Sequence, residues 1–96
     1  MFQVVNGSKE LVVVDLLDVT GAVTDLSGAT PKFSVKEADG SAVVTLANAT
    51  AVGTRISCLI DTVAVTYVTG LHRLYVSFTV GSEVPLIFAG EFHIID

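Results

Sequence analysis

Apolar and polar side chains alternate at every second position over much of this chain, which is the pattern of β-strands that bury one face. In the segment 32–36, Phe33 and Val35 are predicted to face inward, and Ser34 and the two lysines are predicted to face outward. The same alternation predicts three more inward rows, on strands over 9–17, 55–60 and 73–80. These rows are Val12, Val14 and Leu16; Ile56, Cys58 and Ile60; and Leu74, Val76, Phe78 and Val80.

Other segments carry weaker strand signals and bring the expected total to seven or eight strands. They are 2–5, 42–46, 63–68 and 84–95, the last with a predicted bend or bulge at Ala89-Gly90. No segment has a helical pattern, and frequent Val and Thr favour strands because their branched side chains suit a pleated surface.

The connections between these strands predict how they pair. Asn6-Gly7 and Asp39-Gly40 suit type I′ hairpin turns and Gly81-Ser82 a related tight turn, so neighbouring strands are expected to be antiparallel. The segment 47–53 is interpreted as a crossover between two sheets. Short strands at intervals of about 8–12 residues, without helices between them, predict a β-sandwich or small barrel. With 96 residues, the chain is expected to form a single domain over 1–96.

Composition and charge exclude several classes of protein. Of the residues, 51% are hydrophobic and 16% are charged, which excludes intrinsic disorder. No apolar run reaches the roughly 18–20 residues that cross a bilayer. The formal net charge is −5 and the cations are scattered, so a nucleic acid is not an expected partner. A membrane is not an expected partner either. The N-terminus lacks the pattern of a signal peptide, which predicts synthesis for the cytoplasm.

Few residues offer catalytic chemistry. His72 and His93 are the available bases, but no Gly-x-Ser-x-Gly motif accompanies them, and both are interpreted as solvated or edge histidines. Cys58 lies between two inward isoleucines and is interpreted as a small core residue, because a reactive thiolate needs electropositive, partly exposed surroundings. The sequence therefore predicts no enzyme and no catalytic residue.

Metal and cofactor sites are not expected either. Asp15, Asp18 and Asp25 could place carboxylates near one end of a sandwich, but they lack the spacing of an EF-hand, so turn capping is preferred to calcium binding. No Gly-rich loop opens a helix to hold a phosphate. Tyr67 and Tyr75 could stack on sugar rings, although Tyr75 is expected to point outward and pack beside a neighbouring strand.

Several strands carry apolar residues on both faces, and this is the strongest functional signal in the pattern. Candidate interface residues are those that point away from the core, namely Leu11, Val13, Leu59, Tyr75 and Ile95. Contiguous exposed apolar surface generally marks contact with another protein. A homo-oligomer or a docking module is expected.

A series of short motifs resembles a known family. The motifs, in chain order, are Asp18-Val19-Thr20-Gly21, Asp25-Leu26-Ser27-Gly28-Ala29-Thr30, Phe33-x-Val35, Asp39-Gly40, Gly53, Gly70 and Gly90-Glu91-Phe92-x-Ile94. Over residues 10–95 the chain resembles the immunoglobulin-like domain at the N-terminus of bacteriophage baseplate upper proteins and in related small virion proteins. That resemblance implies an all-β, immunoglobulin-like sandwich of seven to eight antiparallel strands, which serves as a structural docking module.

Two features depart from the family. An aromatic residue usually follows soon after the glycine at Gly70, where this chain has Leu71-His72-Arg73, and no assembly region follows Asp96. A free-standing module is therefore expected, such as a head-decoration, fibre-base or small tail protein that binds other virion proteins and assembles in the host cytoplasm. The alternative is an adhesion or carbohydrate-binding module, and a small hydrolase is a formal third. The strand pattern alone leaves an immunoglobulin-like order and a jelly roll equally open.

Overall fold

The computed structural model describes residues 2–15, 30–79 and 84–96, which form eight β-strands and no helix. The strands are β1 (Phe2–Val5), β2 (Lys9–Asp15), β3 (Lys32–Glu37), β4 (Ala42–Asn48), β5 (Thr50–Val52), β6 (Arg55–Asp61), β7 (Gly70–Ser77) and β8 (Leu86–Ile95). In the described ranges there is consequently no helix long and apolar enough to cross a membrane. The predicted all-β class is confirmed.

The strands form two sheets that share one core. The larger sheet has the order β1-β8-β7-β3-β4, and the smaller has the order β2-β6-β5. Buried apolar side chains from both sheets form a single cluster that includes Val35, Leu74 and Phe92 from the larger sheet and Ile56 and Ile60 from the smaller one. The architecture is therefore sandwich-like, with the inward rows of both sheets facing each other.

The prediction that all neighbouring strands are antiparallel is wrong for β1. This strand pairs in parallel with β8, with Phe2 opposite Phe92 and Val5 opposite Ile95. The other strand pairs are antiparallel. A parallel pair needs a long connection between its strands, and here almost the whole domain lies between the first strand and the last.

Asn6-Gly7 does not form the predicted hairpin, because β1 and β2 belong to different sheets. Gly7 does adopt a positive φ of 95°, so the expected conformational freedom is used in a turn between the sheets. The buried Thr62 anchors this turn: its hydroxyl accepts from the Gly7 amide at 2.7 Å and donates to the Ser8 carbonyl at 2.6 Å.

The Asp39-Gly40 hairpin is confirmed, but its turn type is not the predicted one. The Gly40 amide donates to the Glu37 carbonyl, the Glu37 amide donates to the Ser41 carbonyl, and within this turn only Gly40 has a positive φ. This is a three-residue connection, a type I turn followed by a left-handed glycine, in place of the two-residue type I′ turn. The proposed Gly81-Ser82 turn lies outside the described residues.

The predicted crossover at 47–53 is shorter than expected. Only Ala49 separates β4, in the larger sheet, from β5, in the smaller sheet. The sequence pattern did not predict β5, which forms a tight hairpin with β6 through Gly53-Thr54, with Val52 opposite Arg55. In contrast, the strand expected over 63–68 is wrong, because that segment is a turn and an irregular stretch.

The predicted inward rows are confirmed where the structure describes them. Their buried members are Val14, Phe33, Val35, Ile56, Cys58, Ile60, Leu74, Val76 and Phe78, and Val12 packs against this core. Leu16 and Val80 lie outside the described residues. Ser34 was expected to be exposed but is buried, because β3 is an interior strand of the larger sheet and the Ser34 hydroxyl accepts a hydrogen bond from the Leu46 amide.

The last strand contains the predicted irregularity. Leu74 pairs with Gly90 and Tyr75 pairs with Phe88, so Ala89 is an extra residue in β8. This β-bulge confirms the interpretation of Ala89-Gly90. Because of this extra residue, each β8 residue before the bulge points to the face of the sheet opposite to the one that strict alternation predicts.

Candidate protein-binding surfaces

The smaller sheet has an outer face with an uncovered apolar centre. Leu11 on β2 lies directly opposite Leu59 on β6. Val13, the next outward residue of β2, lies opposite Ser57. Exposed fractions are 63% for Leu11, 54% for Val13 and 47% for Leu59. We call this the small face and define it by Leu11, Val13, Leu59 and Ser57 with the charged residues at its ends. Val52, on the neighbouring β5, extends the exposed apolar area.

Two ion pairs bound the small face. At one end, Lys9 Nζ lies 3.8 Å from an Asp61 carboxylate oxygen, and at the other end, Arg55 Nε lies 3.5 Å from Asp15. Both pairs bridge β2 and β6 at register positions. The apolar centre therefore lies between charged ends, as the core and the rim do in many protein interfaces.

Asp61 is held by more than its lysine. Its Oδ1 accepts from the backbone amides of Val63 and Ala64, each at 3.0 Å. The hydrogen bond from the Ala64 amide, supported by that from Val63 and by the charge of Lys9, lowers the pKa of the Asp61 carboxyl. This end of the small face consequently keeps its negative charge well into the acid range.

The larger sheet has an outer face that carries a pair of contacting aromatic rings. Tyr75 and Phe88 meet edge to face with ring centroids 5.6 Å apart, and Lys36 Nζ lies 5.3 Å from the Tyr75 centroid. Beside them, Arg73 Nε lies 3.9 Å from Glu91. We call this region the large face and define it by Tyr75, Phe88, Lys36, Arg73 and Glu91. A shallow pocket lies between Tyr75, Phe88 and the Arg73–Glu91 pair.

A second, more apolar groove crosses the same sheet near β3 and β4. It has a volume of about 470 Å³, and its walls include Ser34, Val44, Leu46, Val84 and Leu86. Leu46, Val84 and Leu86 are each about half exposed or more. The larger sheet thus also has accessible apolar surface, and Lys36 lines this groove as well as lying over Tyr75.

The five predicted interface residues fall on opposite sides of the molecule. Leu11, Val13 and Leu59 come together on the small face. Tyr75 lies on the large face, and Ile95 lies on the same sheet near its edge, half-buried beside Val5. The structure therefore divides one predicted set into two surfaces.

Phe88 is the main surface residue that sequence reasoning missed. Counting back every second residue from the buried Phe92 predicts that Phe88 faces inward, but the bulge at Ala89 turns it outward, where 48% of it is exposed. The Ala89-Gly90 irregularity was the available signal, because an extra residue in a strand reverses the facing of the residues that precede it.

The catalytic candidates are not gathered into a site. His72 is buried, which corrects its interpretation as a solvated or edge histidine. Its Nδ1 lies 3.0 Å from the Gly70 carbonyl, while its ring stacks on Phe92 and meets the edge of Tyr67, and Nε2 has no hydrogen-bond partner among the described residues. His93 lies on the outer side of β8, as predicted, and is half-buried.

Cys58 is fully buried, and its burial raises the pKa of the thiol to about 12. This confirms its interpretation as a core residue, because a thiol that stays protonated is a poor nucleophile. Tyr67 is also buried, and burial raises the pKa of its phenol to about 12. Tyr67 therefore offers no open ring face to a sugar.

The aspartate cluster is only partly described. Asp18 and Asp25 lie outside the described residues, while Asp15 accepts a hydrogen bond from the Thr54 hydroxyl and pairs with Arg55. Within the described ranges, no three His, Cys, Asp or Glu side chains come together as a metal-binding group.

No protein-family model, curated protein or solved structure matches this chain.

Proposed function

We propose that this chain is a non-enzymatic structural protein of a bacteriophage virion, which acts by docking onto copies of itself or onto other virion proteins. The observation that carries the proposal is the small face, where Leu11, Val13 and Leu59 leave a contiguous apolar area in water between two ion pairs. Such a surface is costly for a protein that functions alone and useful for one that assembles.

The finer fold assignment is part of this proposal. In variable-type immunoglobulin domains, strands G, F, C and C′ are neighbours in one sheet, and strands B, E and D are neighbours in the other. The orders β8-β7-β3-β4 and β2-β6-β5 correspond to these sets in chain order. This correspondence favours an immunoglobulin-like topology over a jelly roll, with β1 beside the last strand instead of beside β2.

Several residues of the virion-protein motif have roles that support the resemblance. Gly40 closes the β3–β4 hairpin with a positive φ, Gly53 begins the β5–β6 turn, and Gly90 follows the bulge in β8. The motif residues from Asp18 to Ala29 lie outside the described ranges. On this resemblance we propose that the protein belongs to the virion and assembles in the host cytoplasm.

The cations support protein partners over nucleic acid. Lys9, Arg55 and Arg73 pair with carboxylates. Lys32 donates to the Asn48 side chain, and Lys36 lies over Tyr75. Since the five Lys and Arg residues of the chain are already engaged and are spread over both sheets, they form no basic stripe that could follow a phosphate backbone.

Mass spectrometry of purified virus particles tests the proposal. We expect the chain in intact particles produced by the genome that encodes it, at a fixed ratio to a major head or tail protein. A particle map should then show the sandwich against its scaffold. If the protein is expressed during infection and absent from intact particles, the proposal is overturned.

An adhesion or carbohydrate-binding module is the second candidate, and the shallow pocket on the large face favours it. Phe88 offers an exposed ring, and Arg73 and Glu91 provide polar groups beside it. This candidate predicts a sugar affinity that Phe88→Ala removes and Leu11→Thr leaves unchanged. A glycan array without a binder would exclude it.

A further inference from the structure

We infer that the partner of the small face is a second copy of this chain, which packs face to face to form a two-fold symmetric dimer. The inference rests on the proposed docking function of this face and names its occupant. Two observations support the inference. Leu11, Val13 and Leu59 are exposed, and the charges around them are arranged in a particular pattern.

The four charges alternate in sign around the apolar centre. Along β2, Lys9 is positive and Asp15 is negative. Along the antiparallel β6, Asp61 lies opposite Lys9 and Arg55 lies opposite Asp15. Neighbouring corners of this rectangle therefore always carry opposite charges.

This alternation makes the small face complementary to itself. A two-fold axis that runs parallel to the strands places β2 over β6 of the second copy, so that Lys9 meets Asp61 and Asp15 meets Arg55. An axis perpendicular to the strands in the plane of the interface places β2 over β2, so that Lys9 meets Asp15 and Asp61 meets Arg55. Both arrangements bring together only opposite charges, and like charges would oppose association.

The centre of the face is also suited to a second sheet. Facing sheets pack about 10 Å apart with their strands nearly aligned, and their side chains interdigitate. Leu11, Val13 and Leu59 project from the small face, whereas Ser57 is short and leaves room for an apolar side chain from the other copy. In either two-fold arrangement, the exposed leucines of both copies lie in the same buried centre.

The first experiment measures the dissociation constant of the purified full chain by sedimentation equilibrium. Salt at about 0.15 M reduces the Debye length to about 8 Å, which screens the repulsion between two chains of net charge −5 and weakens close contacts at the rim much less. We expect Leu11→Thr to weaken association by about 10- to 100-fold, because the lost apolar contact occurs twice in a symmetric dimer. Leu86→Thr, which changes an exposed leucine on the other sheet, is the matched control. It should change the dissociation constant by less than about 3-fold.

A second pair of variants tests the charge pattern. Lys9→Glu with Arg55→Glu makes all four corners negative, and we expect it to weaken association by at least about 100-fold. Lys32→Glu with Arg73→Glu makes the same change in net charge on the larger sheet and should leave most of the association intact. Thermal melting and protection of the buried Cys58 thiol verify that each variant is folded.

The inference is overturned if the wild-type chain stays monomeric up to about 1 mM, or if the small-face variants and their controls associate equally well. These results differ from a failure of the proposed function. A monomer that is found in virus particles would overturn only the dimer, and a dimer that is absent from particles would overturn only the virion role.

Discussion

The two outer faces of this molecule differ in the contacts that their apolar side chains make within one chain. On the large face, Tyr75 is half-buried because Phe88 contacts its edge and Lys36 lies over its ring. On the small face, the charged residues pair with each other at the two ends and leave Leu11 and Leu59 between them in solvent.

The difference shows that outward apolar residues need not have the same role. The aromatic cluster of the large face contributes to the stability of the folded chain, since its contacts are already formed within one molecule. The small face gains little stability from its apolar residues until a partner covers them. We therefore expect substitutions on the large face to change the free energy of unfolding and those on the small face to change association.

The largest expected effect comes from the inward side of the small sheet. Ile56→Ala should lower the free energy of unfolding by about 2–5 kcal/mol, because it leaves a cavity in a fully buried position. Leu59→Ala, on the same strand but facing outward, should cost less than about 1 kcal/mol in the monomer. Urea denaturation at low protein concentration measures both, and equal losses would contradict the division of β6 into a core side and a docking side.

A smaller effect is expected on the large face. Tyr75→Ala should lower the free energy of unfolding by about 1–2 kcal/mol, since it removes an aromatic pair and a cation–π contact. The same denaturation assay applies. A loss below about 0.5 kcal/mol would mean that the large face contributes as little to the stability of the monomer as the small face does.

The dependence of stability on pH in the acid range should show the contribution of Asp61, at one end of the small face. The pKa of Asp61 is lowered from an ordinary value of 3.8, so its carboxylate stabilises the fold above that pH, and the contribution is lost as the pH falls through the lower folded value. Asp61→Asn keeps an oxygen that can accept from Ala64 and Val63 but does not titrate.

The variant should therefore lose less stability than the wild type as the pH falls below about 4. Thermal melting between pH 2.5 and pH 6 measures the two slopes. Parallel profiles would show that Asp61 has the same pKa in the folded and unfolded chains.

The smallest effect on stability is expected at Leu11. Because this side chain is 63% exposed, Leu11→Thr should change the free energy of unfolding of the monomer by no more than about 0.5 kcal/mol. The same substitution is the one that should weaken dimerisation most clearly among single changes. A large loss of monomer stability would mean that Leu11 packs within its own chain.

Much of the local structure could be predicted from the sequence. Alternation identified the inward sides of β3, β6 and β7, because a period of two places every second side chain on the same face whatever the strand pairs with. The outward residues Leu11, Val13 and Leu59 followed from the same rule. The hairpin at Asp39-Gly40 and the bulge at Ala89-Gly90 had local signals in their glycines.

Other features had no such signal. Ser34 looked exposed by alternation, but the outer side of an interior strand can be covered by its neighbours. His72 looked polar and accessible, yet its ring is buried with Phe92 and Tyr67. In both cases the environment includes a neighbouring strand, β4 for Ser34 and β8 for His72, and the alternation of one strand does not reveal which strands it pairs with.

The sequence by itself determined most of the segments that extend as strands, but not β5 or the irregular segment 63–68, and it determined which side chains of most strands point inward, since these follow from backbone geometry and local periodicity. Only the tertiary structure decided that β1 runs parallel to β8 and that β2 pairs with β6. It also decided that the predicted interface residues lie on two separate faces. Sheet membership depends on pairing between residues far apart in the chain, and the alternating charges of the small face exist only because that pairing brings Lys9 to Asp61 and Asp15 to Arg55.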